Sequence, residues 1–257
     1  MSFFGKFIGG TIGFLMGGPL GAIAGVAFAH VLQQSQEADR ISGSSYFRNY
    51  NRRMNTTEHA HMTFFVGAFS LLAKLAKVDG ELTRNEEATI RRFMIEELRL
   101  DPTSQYTALR IFDAALTTDQ DYSDIARQFY REFRNRPQIL ELMIDILFRV
   151  AIADGGVNKA EGSMILNIAR IFNFQQYQYD RIKERYVANT NKYYAILNCS
   201  PEDDDETIKK SYRKLVRENH PDAIAAKGLP DEFQKVAADK FRQIQDAYEH
   251  IRKERGL

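Results

Sequence analysis

The residues of this 257-residue chain best suited to chemistry lie near its end, at His220-Pro221-Asp222. An imidazole and a carboxylate there flank a proline that fixes its own φ and biases His220 toward extended backbone, so the pair is presented in a narrow range of shapes. Directly before the triplet come Lys209, Lys210, Arg213, Lys214 and Arg217, which against Glu206 and Glu218 leave +3 on one short stretch. The whole chain, with 35 Lys plus Arg and 34 Asp plus Glu, carries only +1. Such local segregation steers an acidic protein surface and fixes its orientation. His220 and Asp222 can then favour one of two conformations of that partner. No nucleophile or substrate pocket is indicated beside His220, so the chain is not expected to be an enzyme. Nucleic acid is not an expected partner either, because acidic residues flank the cations and no basic patch spreads beyond them.

A second group of ionisable residues is carboxylate. Asp79, Glu86, Asp154 and Glu161 belong to an internal duplication with an offset of 75 residues, in which Leu72, Ala76, Asp79, Gly80, Glu86 and Ile90 recur as Leu147, Ala151, Asp154, Gly155, Glu161 and Ile165. Oxygen ligands of this kind suit calcium or magnesium, which makes the four weak candidates for a metal site. Their local explanation is turn formation at Asp-Gly, with Thr83-x-x-Glu86 and Asn158-x-x-Glu161 starting the next helix by capping its free N–H groups. That explanation suffices without a metal, and no cofactor is expected. His59-x-His61 offers two imidazoles without a third ligand and reads as a surface helix start. A single cysteine, Cys199, excludes an internal disulfide, a thiolate zinc cluster and a CxxC redox pair.

These side chains must be positioned by helices. Across residues 58–190 apolar positions recur at three or four, as at Phe65, Phe69, Leu72 and Ala76 and again at Ile139, Leu142, Ile146, Leu147 and Val150. No stretch shows sustained strand alternation, so this region is expected to form one all-helical domain, with further helices near 84–99, 103–116, 123–134, 158–173 and 175–189. In 191–257 the cationic helix carries an inward stripe of Ile208, Tyr212, Leu215 and Val216. A later helix answers with Phe241, Ile244, Ala247, Tyr248 and Ile251, giving a helical hairpin.

The other end differs in character. Phe7 to Leu32 is 26 consecutive positions without Asp, Glu, Lys or Arg, longer than the roughly 20 needed to span a bilayer. Gly9, Gly13, Gly17, Gly21 and Gly25 recur every fourth residue, a ladder where a second helix, including that of a second copy, can approach closely. Residues 1–32 therefore read as a transmembrane helix that pairs as a homodimer, and 33–57 as a polar linker. Competing readings are a signal peptide cut after Ala27-Phe28-Ala29, a hairpin bent at Gly17-Gly18-Pro19, and a soluble glycine-rich helix pair. Arg40, Arg48, Arg52 and Arg53 after the span, against Lys6 before it, put the bulk of a single-pass protein on the cytoplasmic side.

The repeated Ala-x-x-Asp-Gly-x-[Leu/Val]-x-x-x-Glu pattern resembles TerB-like domains, helical modules associated with the membrane surface and with proposed metal binding. The ordered set of Tyr194 to Leu197, Ile-Lys-Lys-Ser-Tyr-Arg-Lys-Leu from Ile208, His220-Pro221-Asp222 and Lys-Phe-x-x-Ile-x-x-Ala-Tyr from Lys240 closely resembles the J-domain family. Ala223 departs from the frequent Lys after the triplet, and a clear fourth helix is missing. Together the parts resemble membrane-anchored DnaJ-like co-chaperones of the bacterial inner membrane. The resemblance implies stimulation of a DnaK-type chaperone's ATPase through the triplet and the basic helix. A rival function makes the TerB-like domain primary, as a metal- or envelope-stress sensor, with the J-domain only recruiting a chaperone.

Overall fold

The computed structural model describes residues 16–34, 56–80, 82–153, 156–186 and 192–256, with backbone alone at 29–34, 85 and 86. Every regular element among them is helical. The first body comprises α1 (Gly18–Gln34), α2 (Thr56–Ala76), α3 (Arg84–Arg92), α4 (Pro102–Thr117), α5 (Tyr122–Phe133), α6 (Pro137–Ala153), α7 (Lys159–Ile171) and α8 (Gln176–Glu184). The second comprises α9 (Lys192–Ile196), α10 (Asp205–Glu218), α11 (Pro221–Ala225) and α12 (Gln234–Arg255).

Helix starts follow local side-chain chemistry. Asp101 accepts from the Thr103 and Ser104 N–H groups with Pro102 in the first turn, and Asp121 and Asp204 cap α5 and α10 in the same way. Asn158 and Glu161 form the expected capping box, each side chain bonding the other's backbone N–H at 2.9 Å. The last turn of α3 widens into a π turn over Phe93–Glu97.

Helix α2 is the centre of the first body. Phe64, Phe65, Phe69, Leu71 and Leu72 are completely buried, and α2 packs against α4, α5 and α6. Phe64 meets Phe129 and Phe133 of α5 at ring-centroid distances of 5.7 and 6.1 Å. The duplicated halves touch at their turns, where Asn158 donates from Nδ2 to Asp79 Oδ2 at 2.9 Å. In the second body Tyr194, Leu197, Ile208 and Leu215 close on Ile244, Ala247 and Ile251, while Tyr212 stacks on Tyr248 at 4.0 Å.

Two arrangements go beyond the periodicity. The hairpin is not a separate unit, because Ile224, Leu229, Phe233, Val236 and Ala237, all just beyond the triplet, are buried in the core of the first body. Helix α1 also belongs to that core, with Leu20, Ile23 and Ala24 fully buried against α2, α4 and α5. No helix among the described residues is long and apolar enough to cross a membrane. Most of the expected linker at 33–57 lies outside the described residues, with α1 reaching Gln34 and α2 starting at Thr56.

Candidate functional site

Helix α10 begins where Asp204 accepts from the Thr207 N–H at 2.7 Å, and ends where buried Asn219 donates from its side chain and its backbone to the Leu215 carbonyl, both at 2.9 Å. His220 then takes φ −57° and ψ 132°, as expected for a residue before proline, and Pro221 opens the short helix α11. The chain turns sharply at the triplet. The His220 ring rests edge-on against Phe241 of α12 at 5.5 Å, with its side chain 51% exposed. Asp222 is 93% exposed, 3.8 Å from His220 Nδ1, so the imidazole and the carboxylate both face solvent from one corner.

Behind that corner, Ile208 and Leu215 turn inward, which leaves Lys210, Arg213, Lys214 and Arg217 exposed and Lys209 half-buried. Arg213 approaches Glu206 at 4.0 Å with both groups mostly in water. Among the described residues Lys209, Lys210, Lys214 and Arg217 form no ion pair. The structure thus brings the predicted triplet and cations to one continuous surface. Lys214 also borders a cleft of about 440 Å³ between α10 and the first body, whose other wall includes Gln138, Tyr177 and Arg181.

The loop after the triplet is held by residues that the sequence reading missed. The Lys227 ammonium donates to Gln138 Oε1 at 3.0 Å, and Arg136 donates from Nη1 to the Lys227 carbonyl at 3.0 Å. Gly228, at φ +88°, lies where a Cβ would stand 2.7 Å from Ala60 Cβ and 2.9 Å from Arg136 Nη1, so only glycine permits this approach. Phe233 then enters the aromatic cluster of α2, 4.8 Å from Phe64 and 6.0 Å from Phe69. Two residues further on, Lys235 donates to the carbonyl of Glu96, within the π turn, at 2.5 Å.

Farther along α12, Lys240 is 9% exposed and donates to Asp145 Oδ2 at 2.5 Å and to Glu141 Oε1 at 2.9 Å. Arg185 of the first body adds a 2.8 Å bond to Glu141 and a 3.2 Å bond to Asn198 Oδ1, while Arg181 binds the Asn198 carbonyl. Burial alone would raise the Glu141 pKa, but the Lys240 and Arg185 charges and their hydrogen bonds outweigh it and hold the carboxyl down at about 2. Tyr186 donates its hydroxyl to Asp145 Oδ1 at 3.1 Å, and burial pushes its own pKa well up. One signal could have exposed this seam: Asp145 stands inside an otherwise apolar run from Leu142 to Phe148, where an unpaired carboxylate is untenable.

The remaining candidates are less coherent. Asp79 is committed to Asn158, and Glu161 to its capping box. Asp154 and the Glu86 side chain lie outside the described residues, and among those described no cluster of three metal-ligating side chains occurs. His59 bonds Glu132 at 3.5 Å, which raises its pKa, whereas burial lowers that of His61. Cys199 is buried in the hairpin core, and burial pushes its thiol up. Gly9 and Gly13 lie outside the described residues. Gly17 precedes α1 at φ +56°, Gly21 is buried and Gly25 is exposed.

Comparison with known proteins gives the same parts in the same order. A family model described as Co-chaperone DjlA transmembrane domain matches residues 1–39, Tellurite resistance protein TerB matches 66–184, and DnaJ domain matches 192–255. Relatives named Co-chaperone protein DjlA are similar from end to end. Those of Coxiella burnetii and Shewanella oneidensis are each 28% identical, and that of Escherichia coli K12 is 26% identical, with 100% of this chain and of each relative covered. No solved structure matches the chain. The order of the parts agrees along the whole length, and the chain therefore belongs to the DjlA-type family of co-chaperones, with a TerB domain followed by a C-terminal J-domain.

Proposed function

We propose that this co-chaperone stimulates ATP hydrolysis by a DnaK-type chaperone, from an anchored position at the cytoplasmic face of the inner membrane. The observation that carries this reading is the solvent-facing His220 and Asp222 at the end of a helix on which, among the described residues, only Arg213 of the five cations has an ion-pair partner. The cations attract an acidic surface of the partner, and the stiff corner supplies contacts that differ between its two nucleotide-dependent conformations. The partner's own active site carries out hydrolysis. Anchoring rests on the apolar run within residues 1–32 and the family match there. Pairing of two copies along Gly9 to Gly25 in the bilayer belongs to the same reading, and cysteine crosslinks confined to one helix stripe would support it.

The test is ATPase turnover of a purified DnaK-type chaperone with the full chain and with His220→Gln. Wild type is expected to raise turnover at least about tenfold, the size of a modest 1.4 kcal/mol effect on a barrier, and the variant to lose nearly all of that increase. Equal stimulation by both would remove the triplet from the mechanism. The full chain is needed because the loop after the triplet is folded into the TerB core.

A further inference from the structure

Residues 1–39 match a transmembrane family, and yet α1 lies in a groove between α2, α4 and α5 of the TerB domain. One segment cannot fill a bilayer and this groove at the same time. The groove also holds its occupant in a particular way. Gln128 accepts from the Leu20 N–H at 2.9 Å and donates to the Met16 and Gly17 carbonyls at 3.0 and 2.9 Å, so a single amide side chain clasps the first turn. Arg110 donates from Nε and Nη2 to the Ala27 carbonyl at 2.9 and 2.6 Å. All of these bonds go to backbone. The side chains facing the groove, Leu20, Ile23, Ala24, Ala27 and Phe28, are apolar and at most 5% exposed. At Gly18, with φ +59°, a Cβ would stand 2.8 Å from Gln128 Oε1, so a glycine at the entry is part of the fit.

We propose that this groove is a receptor for apolar, small-residue helices of the kind that span bilayers, gripped by their backbone, and that α1 is its built-in occupant while the segment is out of the membrane. The proposal rests on the anchoring described above. Once the chain's own segment is in the bilayer, the apolar seat loses its cover, and an exposed apolar patch with polar clamps at its edge is a binding site. Recognition through carbonyls and a first-turn N–H asks little of the sequence of the bound helix beyond apolar side chains. Every helix starts with such free N–H groups. The groove is also joined to the triplet, since Phe64 of α2 touches both Phe129 of α5 and Phe233 of the loop.

The test uses the full chain reconstituted in phosphatidylethanolamine–phosphatidylglycerol vesicles. The probe is a fluorescent peptide of the sequence 16–34 flanked by lysine pairs for solubility. Wild type is expected to bind it saturably, and Arg110→Ala with Gln128→Ala in the same vesicles to bind about tenfold more weakly, as loss of a charged and a neutral hydrogen-bond clamp implies. Should that double variant fail to fold, Gln128→Glu keeps the acceptor, loses the donors and is expected to weaken binding several-fold. A probe with an ester in place of the Leu20 amide should bind wild type several-fold more weakly and the double variant no differently. Equal binding by wild type and variants, or no binding above that of empty vesicles, overturns the proposal. So does filling of the groove by α1 of a second copy, seen as crosslinks between chains from a photoreactive residue at Tyr106, an exposed α4 side chain whose ring lies 5.9 Å from the Arg110 guanidinium. His220→Gln must leave peptide binding unchanged. If peptide binding persists while wild-type stimulation of the chaperone is absent, the co-chaperone mechanism falls and the groove stands.

Discussion

The J-domain carries positive charge in two places that behave in opposite ways. On α10 four of the five cations are exposed and, among the described residues, only Arg213 has an ion-pair partner, whereas on α12 Lys240 is enclosed by Glu141 and Asp145 with Arg185 alongside. A solvated cation keeps its field for an approaching protein over about 10 Å at moderate salt, and its removal hardly disturbs the fold. A buried cation is desolvated, and stays favourable only while every partner is present. The first arrangement serves recognition. The second fixes how the recognising surface sits on the TerB domain.

The sharpest way to break this contrast is to remove one member of the buried set. Asp145→Ala should cost about 3–5 kcal/mol, because Lys240 and Arg185 would then share Glu141 alone. Urea unfolding with an unchanged m-value measures it, and a loss below about 1 kcal/mol would mean that the seam is not truly desolvated. Replacing the pair together, as Lys240→Met with Asp145→Leu, should recover most of the loss.

Phe233→Ala should cost a similar 3–5 kcal/mol, since the ring is completely buried among Phe64, Phe65 and Phe69. It should also lower chaperone stimulation although His220 and Asp222 remain, because the loop that aims them has lost its anchor. Full stimulation by the variant would uncouple aim from activity.

Acid sharpens the same contrast. The Glu141 carboxyl is depressed from 4.5 to about 2 in the fold, so its contribution is present above pH 4.5 and lost as pH falls from there toward 2. That contribution is roughly 3 kcal/mol. Chemical unfolding at pH 6, 4 and 3 should show it, and Glu141→Gln should flatten the slope.

The smallest effect on stability is expected on α10. Lys210→Glu with Arg213→Glu should change unfolding free energy by no more than about 0.5 kcal/mol, yet slow association with the chaperone about tenfold at low salt. Raising the salt should shrink the difference between the two chains. A salt-independent deficit would mean that the cations act by contact and not by steering.

Much of this molecule can be read locally. Asp101, Asp121, Asn158 and Asp204 announce helix starts within three residues of the N–H groups they cap, and the inward stripes of α2, α6, α10 and α12 follow their own spacing. The triplet and its cations are equally local, since proline, the C-cap at Asn219 and the helix face suffice to expose them. Lys240 is the opposite case. On its own helix it looks like one more surface cation, and only Asp145, 95 positions earlier, explains why it is buried. Phe233 likewise belongs to a loop by its neighbours and to the TerB core by its contacts.

For α1 the sequence supplied an apolar, glycine-rich stretch, a property that suits a bilayer and a protein groove alike, because both withdraw apolar side chains from water. The amino-acid sequence by itself therefore determined the helices, their caps, the internal duplication and the exposed triplet, since each depends on residues a few positions apart. Tertiary structure decided the seam of Lys240 with Asp145, the burial of Phe233 and the clasp of Gln128 on α1. Those contacts join residues many positions apart, so their free energy exists only once the chain has closed on itself.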